Sequence, residues 1–122
     1  MSRPLREPDI EAEIRFLPTV EGGRMGPVRT GYRPDHNFGL EGMLNGAHHE
    51  FVDRDWVALG ERVVTQMWFT VPEYQTGRLA PGFEFTIQEG NKIVGRGQIT
   101  VVLNPALART DKDDEPSPSR PA

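Results

Sequence analysis

The sequence predicts a small all-β domain, a closed six-stranded antiparallel barrel, and three observations carry that expectation. Apolar and polar residues alternate in short runs, no segment sustains a helical period, and Gly and Pro separate the runs at short intervals. The 122 residues suffice for one core; two would each have too little apolar surface to offset the entropy of ordering. Closure into a barrel is expected because it removes the exposed strand edges that invite aggregation.

The first strand is read at Ile10 to Phe16, where Ile10, Ala12, Ile14 and Phe16 alternate with Glu11, Glu13 and Arg15. From Pro18 to Pro34 the chain holds seven Gly or Pro residues, so turns are expected, with one short strand around Val28 to Tyr32. A further short strand is placed at His48 to Val52, followed by a solvated turn at Asp53-Arg54-Asp55. Arg62 to Val71 is dense in β-branched and aromatic residues and reads as a central strand. Val63, Met67, Phe69 and Val71 fall on one face and Val64 and Trp68 on the other. Phe83 to Gln88 and Ile93 to Leu103 form a hairpin about Gly90-Asn91. On its return strand Gly95, Gly97, Ile99, Val101 and Leu103 share parity, so the glycines are expected at a bulge or a sharp bend.

Residues 1–8 are expected to be flexible, 9–104 to form the barrel, and 105–122 to be a disordered Pro-rich acidic tail. The formal net charge is −4. Arg3 and Arg6 against Glu7 give +1 at one end. Arg109, Lys112 and Arg120 against Asp111, Asp113, Asp114 and Glu115 give −1 at the other, so the barrel segment carries the whole −4. A generic phosphate-binding surface is disfavoured, because that affinity comes chiefly from Lys and Arg displacing counterions.

Several chemistries are expected to be absent. Without cysteine there is no disulfide, thiol nucleophile or thiolate metal site. Serine occurs only at Ser2, Ser117 and Ser119, in the expected flexible ends, which argues against a positioned serine nucleophile. His48 and His49 point to opposite faces of a strand and cannot easily share a metal; they and His36 are expected at exposed or edge positions. Glu11 and Glu13 read as an outer polar stripe rather than an acid/base pair. There is no phosphate-binding Gly-Lys-Ser/Thr loop, no membrane-length apolar run and no signal-like N-terminus. The expectation is a cytoplasmic protein with no cofactor, no metal and no enzymatic activity.

Two loop motifs are more specific. Glu21-Gly22-Gly23-Arg24, Pro27, Gly31-Tyr32-Arg33-Pro34 and Phe38 resemble in order the EGGRHTPF and GYRPQFYF segments of the C-terminal barrel of elongation factor Tu. Phe85 to Gly97, FTIQEGNKIVGRG, is similar to FAIREGGRTVGAG of the same domain. The resemblance runs from Asp9 to Leu103 and implies a six-stranded Greek-key barrel. It also implies that Arg24, Glu89 and Gly90 match positions facing tRNA, with Lys92 and Arg96 as a candidate basic patch beside the hairpin. The GTPase domain of that family is not in this chain, so no GTP binding is expected.

The sequence departs from the family where Met25 replaces a His, Asp35 a Gln, and Leu40 to Gly46 a TTDVTG segment. Asp35 would bring a carboxylate toward phosphates. A non-catalytic, translation-related module engaging a protein partner is therefore the leading expectation. A tRNA- or RNA-binding module using the Arg24 loop and the 89–96 hairpin is the alternative. A third reading gives Gly22, Gly23, Gly90, Tyr32 and Pro34 only a turn-shaping role.

Overall fold

A computed structural model describes residues 3–110. Eight strands follow one another: β1 Ile10–Phe16, β2 Val28–Arg29, β3 Asp35–Asn37, β4 Asn45–Phe51, β5 Trp56–Val57, β6 Arg62–Phe69, β7 Glu84–Glu89 and β8 Lys92–Val102. Six close an antiparallel barrel in the order β1-β6-β4-β3-β7-β8, and β2 and β5 pair as a separate ribbon. β3, β4 and β6 lie side by side, and β1 returns beside β6 after a long connection, which is a Greek key. There is no α-helix among the described residues; three short 3-10 turns punctuate the loops.

The interior is filled by alternate residues of each strand: Ile10, Ala12, Ile14 and Phe16 from β1, and Val63, Met67 and Phe69 from β6. Phe38 and Phe85 stack with centroids 4.7 Å apart, and Phe69 meets Phe38 edge-on at 5.2 Å. At one end the ribbon covers the core with the facing pair Val28 and Val57. At the other, Leu79 and Leu107 are buried and Leu79 N donates to Leu107 O.

The sixth barrel strand is not the expected one. Val28–Arg29 belongs to the ribbon, and the barrel position is taken by Asp35–Asn37, which follows directly on the Pro18–Pro34 stretch read as turns and to which the sequence reading assigns no strand. Three residues between Pro34 and Gly39 are too short to show alternation; pairing with β4 and β7 creates this strand. The central strand ends at Phe69, which leaves Val71 exposed rather than inward-facing. Trp68 faces outward yet is buried, because its Nε1 donates to Arg6 O and Arg3 lies 5.8 Å over its ring. Arg6 also bonds Asp9 and Phe69 O, which ties the chain before β1 to the barrel. Beyond Asn104, Pro105–Leu107 forms a 3-10 turn capped by the Asn104 side chain, so order extends past the expected boundary. Residues 111–122 of the expected tail lie outside the described residues.

Gly90-Asn91 makes the expected two-residue turn, with Glu89 facing Lys92 and Gly90 at φ 62°. The β7–β8 register shifts beside Gly95, between Ile87 and Gln88, and the β8 glycines have a packing role as well. A Cβ on Gly97 would lie 2.4 Å from Phe85 Cζ and 2.8 Å from Ile14 Cγ2, and one on Gly95 3.2 Å from both Ile87 Cδ1 and Phe16 Cδ1. The bare backbone is what admits these rings. Farther along, the β1–β8 register shifts between Glu11 and Ala12. Parity on β8 therefore changes after Ile99: Val101 and Leu103 are exposed rather than aligned with the core.

The histidines are the other departure, since all three are buried. His36 Nε2 lies 2.8 Å from His49 Nε2, with the rings stacked 5.0 Å apart; His36 Nδ1 meets Asn45 O and His49 Nδ1 meets Thr65 Oγ1. His49 shares parity with Ala47 and Phe51, so the barrel interior receives it. His48 faces outward beneath the edge of Trp68 and bonds Glu50. The polar chain continues from Asn45 to Gln75, and from Gln75 to Arg78, which also reaches Phe38 O. Burial pushes His36 down to about 4, and burial followed by repulsion from His36 and His48 pushes His49 well below its usual value.

Two outcomes follow from this packing. Gly97→Ala lowers stability by about 1–3 kcal/mol through overpacking, read as a fall in denaturation midpoint, and Phe85→Leu in the same background recovers part of it. Stability is flat above pH 6.5 and falls as pH drops from 6.5 toward 4, because the unfolded chain takes up protons that folded His36 and His49 refuse. Each histidine contributes a slope of about 1.4 kcal/mol per pH unit. His49→Gln makes the acid limb of the stability profile shallower, whereas an unchanged limb would show that the pair does not govern it.

Candidate functional site

The two motifs singled out in the sequence meet at one end of the barrel. After Phe16 the chain makes a 3-10 turn at Thr19–Glu21, closed by Gly22 at φ 90°. A Cβ on Gly23 would stand 1.9 Å from Leu17 O, so only glycine fits there. Gly23 N donates to Pro18 O and Thr19 Oγ1 to Arg24 O, which aims Arg24 back across the barrel end. The β7–β8 hairpin presents Glu89 at the same place.

Arg24 Nε donates to Glu89 Oε2 at 3.1 Å, and its Nη1 donates to Pro27 O at 2.9 Å and to Gly26 O at 3.3 Å. The guanidinium lies 5.2 Å over the ring of Tyr32, whose hydroxyl donates to Glu89 Oε2 at 2.5 Å. Tyr32 in turn packs edge-on against Phe16 of the core at 5.7 Å. The Tyr32 hydrogen bond, then Arg24 and Lys92, hold the Glu89 carboxyl below its ordinary value. Burial, then the neighbouring carboxylate, raises the Tyr32 hydroxyl.

Arg24, Glu89 and Gly90 are thus brought together, and Lys92 faces Glu89 across the turn. Arg96 is placed elsewhere. It pairs with Thr86 and Arg15 on the outer barrel face, whereas Glu89 and Lys92 lie on the inward-facing parity of the hairpin. Lys92 and Arg96 do not form one strip. Over Gly90 nothing stands within 4 Å of where a Cβ would point, so the tip is open to a ligand. Tyr32 is the part of the site that sequence reading left as a turn residue; its place in the Gly-Tyr-Arg-Pro motif was the available signal. The described residues contain no group of three potential metal-binding side chains and no helix long and apolar enough to cross a membrane.

Comparison with known proteins bears on this arrangement. No family model matches the sequence. A search of curated proteins finds 37% identity over 95 residues to Elongation factor Tu 2 from Streptomyces avermitilis.

The chain is similar to part of elongation factor Tu.

The alignment covers 75% of this chain and 22% of that relative, so the chain spans about a fifth of the elongation factor's length. The closed six-stranded barrel and this partial homology together fit a domain like the C-terminal one of elongation factor Tu.

The geometry sets one test of the Arg24, Tyr32 and Glu89 cluster. Glu89→Gln lowers stability at neutral pH by about 0.5–1 kcal/mol, the scale of a partly exposed charge-assisted bond. The folded-state value of Glu89 is depressed, so its contribution is present above pH 4.5 and is lost as pH falls through that lower value. Wild type and variant therefore converge in acid; a gap that is constant with pH would show that the carboxylate charge is not involved.

Proposed function

We propose that this chain is a non-catalytic, translation-related binding module, like the C-terminal domain of elongation factor Tu, that engages a protein partner in the cytoplasm. The observation that carries the reading is the state of Arg24. Its guanidinium is bonded to Glu89 and two carbonyl oxygens through Nε and Nη1 and covered on one face by Tyr32, so three of its five N–H donors and much of its charge are already engaged, and an RNA phosphate would compete with Glu89 for it. Releasing it would leave the exposed Glu89 carboxylate with the Tyr32 hydroxyl and the more distant Lys92. The net charge of −4 and the separation of Lys92 from Arg96 support the same reading, because polyanion binding needs several cations along one track.

The tRNA-binding alternative draws on the open space over Gly90 and on Lys92 beside it. In that reading the backbone at the tip approaches a ribose, and the Arg24 cluster sets the tip's position. The two readings differ in salt dependence. At low salt the full chain is expected to bind aminoacyl-tRNA weakly, with no change on Arg24→Ala, while immobilised chain retains a protein at physiological salt. Tight tRNA binding that weakens steeply with salt and drops on Arg24→Ala would reverse the order of the two readings.

A further inference from the structure

The outer face of the barrel carries a charge pattern outside the Arg24 cluster. Pairing registers place Arg62 of β6 opposite Arg15 of β1, and Arg15 opposite Arg96 of β8, so three arginines stand in one row across three neighbouring strands. The row continues through Thr86 of β7 to Asn37 of β3. Like charges directly opposite one another in a sheet repel. Arg15 is partly neutralised, with Nε on Gly60 O and Nη1 3.5 Å from Glu21 Oε1. The Arg62 and Arg96 guanidinium groups make no hydrogen bond or ion pair among the described residues.

A second row lies two residues along the strands and carries the opposite sign: Glu13 of β1 faces Gln98 of β8, which faces Glu84 of β7. Two residues of strand correspond to about 7 Å. Both rows line one groove of about 580 Å³, floored by the Gly97 backbone. It runs across the strands from β6 to β3, four strand spacings or about 19 Å. That shape is long for a single anion. The Glu row disfavours a nucleic acid, whose phosphates would meet two carboxylates as well as the arginines.

Resting on the protein-binding reading above, we infer that the groove between the Arg62-Arg15-Arg96 row and the Glu13-Glu84 row docks a partner polypeptide segment carrying charges of both signs. Its acidic side chains lie on the arginines. A basic side chain about 7 Å away lies on the glutamates. Arginine suits the first role, since its fork meets a carboxylate in two parallel hydrogen bonds.

The test uses the full chain, NMR titration at low salt and four probes. These are a 14-residue peptide with Glu and Lys four residues apart on one face, all-Glu and all-Lys counterparts, and a 12-nucleotide single-stranded RNA. The mixed-charge peptide is expected to shift the Arg15, Arg62 and Arg96 guanidinium signals together with the Glu13 and Glu84 amides. It should bind at least threefold tighter than either single-sign peptide or the RNA. Arg62→Glu with Arg96→Glu is expected to weaken it at least tenfold. Arg62→Gln with Arg96→Gln should leave the melting temperature unchanged or higher, because it relieves repulsion, which makes it the folding control. Equal affinity for all peptides, preference for RNA, or shifts confined to the Arg24 loop would overturn the inference. A chain that retains a protein while the groove signals stay unmoved defeats this inference alone; Arg24-dependent, salt-sensitive tRNA binding defeats the broader reading.

Discussion

Closure of the barrel depends on β1, which pairs with β6 on one side and β8 on the other. Its contact with β8 is possible at full density only because Gly95 and Gly97 lack side chains where Phe16, Ile14 and Phe85 press against the strand. Atoms in a core tolerate little compression, so two bare positions on one strand set how closely the sheet can curl around its aromatic filling. The ribbon, through buried Val28 and Val57, and the Leu79 and Leu107 contacts at the opposite end cover openings that this curl leaves. The Arg24 loop and hairpin tip inherit their juxtaposition from the same closure, since both grow from the paired ends Phe16 and Gly95.

Within that filling the protein holds a polar element. His36 and His49 bond ring to ring in the barrel centre, and the remaining ring nitrogens find Asn45 O and Thr65 Oγ1. Satisfied neutral imidazoles cost little in the interior, whereas a charged one would face desolvation and a second ring 5.0 Å away. The core is thus selective for one protonation state. The chain through Asn45, Gln75 and Arg78 links the pair to the segment after β6, and Leu79 there pairs with Ala108.

The surface divides its charges between two roles. Around Glu89 the charged and aromatic groups bond one another and tie two loops together, while the space over the Gly90 tip stays open. Around Arg62 and Arg96 the side-chain charges have no partner among the described residues. Repulsion within a row of cations is destabilising, and a row of cations beside a row of anions is complementary to a segment of the opposite pattern. Similarity to part of elongation factor Tu accounts for the barrel and its loop motifs. The arginine row follows from the registers of β1 with β6 and β8.

What the sequence determined by itself was local. Alternation at Ile10 to Phe16 and Phe85 to Ile87, the Gly90-Asn91 turn and the glycine-marked β8 were legible because side-chain period and turn chemistry are properties of neighbouring residues. The Glu-Gly-Gly-Arg and Gly-Tyr-Arg-Pro motifs identified the type of barrel for the same reason. Tertiary structure alone decided that Asp35–Asn37 is a strand, that the parity of β8 changes after Ile99, and that three histidines are buried. It also decided that Arg24 spends its charge on Glu89 and that Arg15, Arg62 and Arg96 align. Each of these depends on register between segments far apart in the chain, which barrel closure sets and no local pattern encodes.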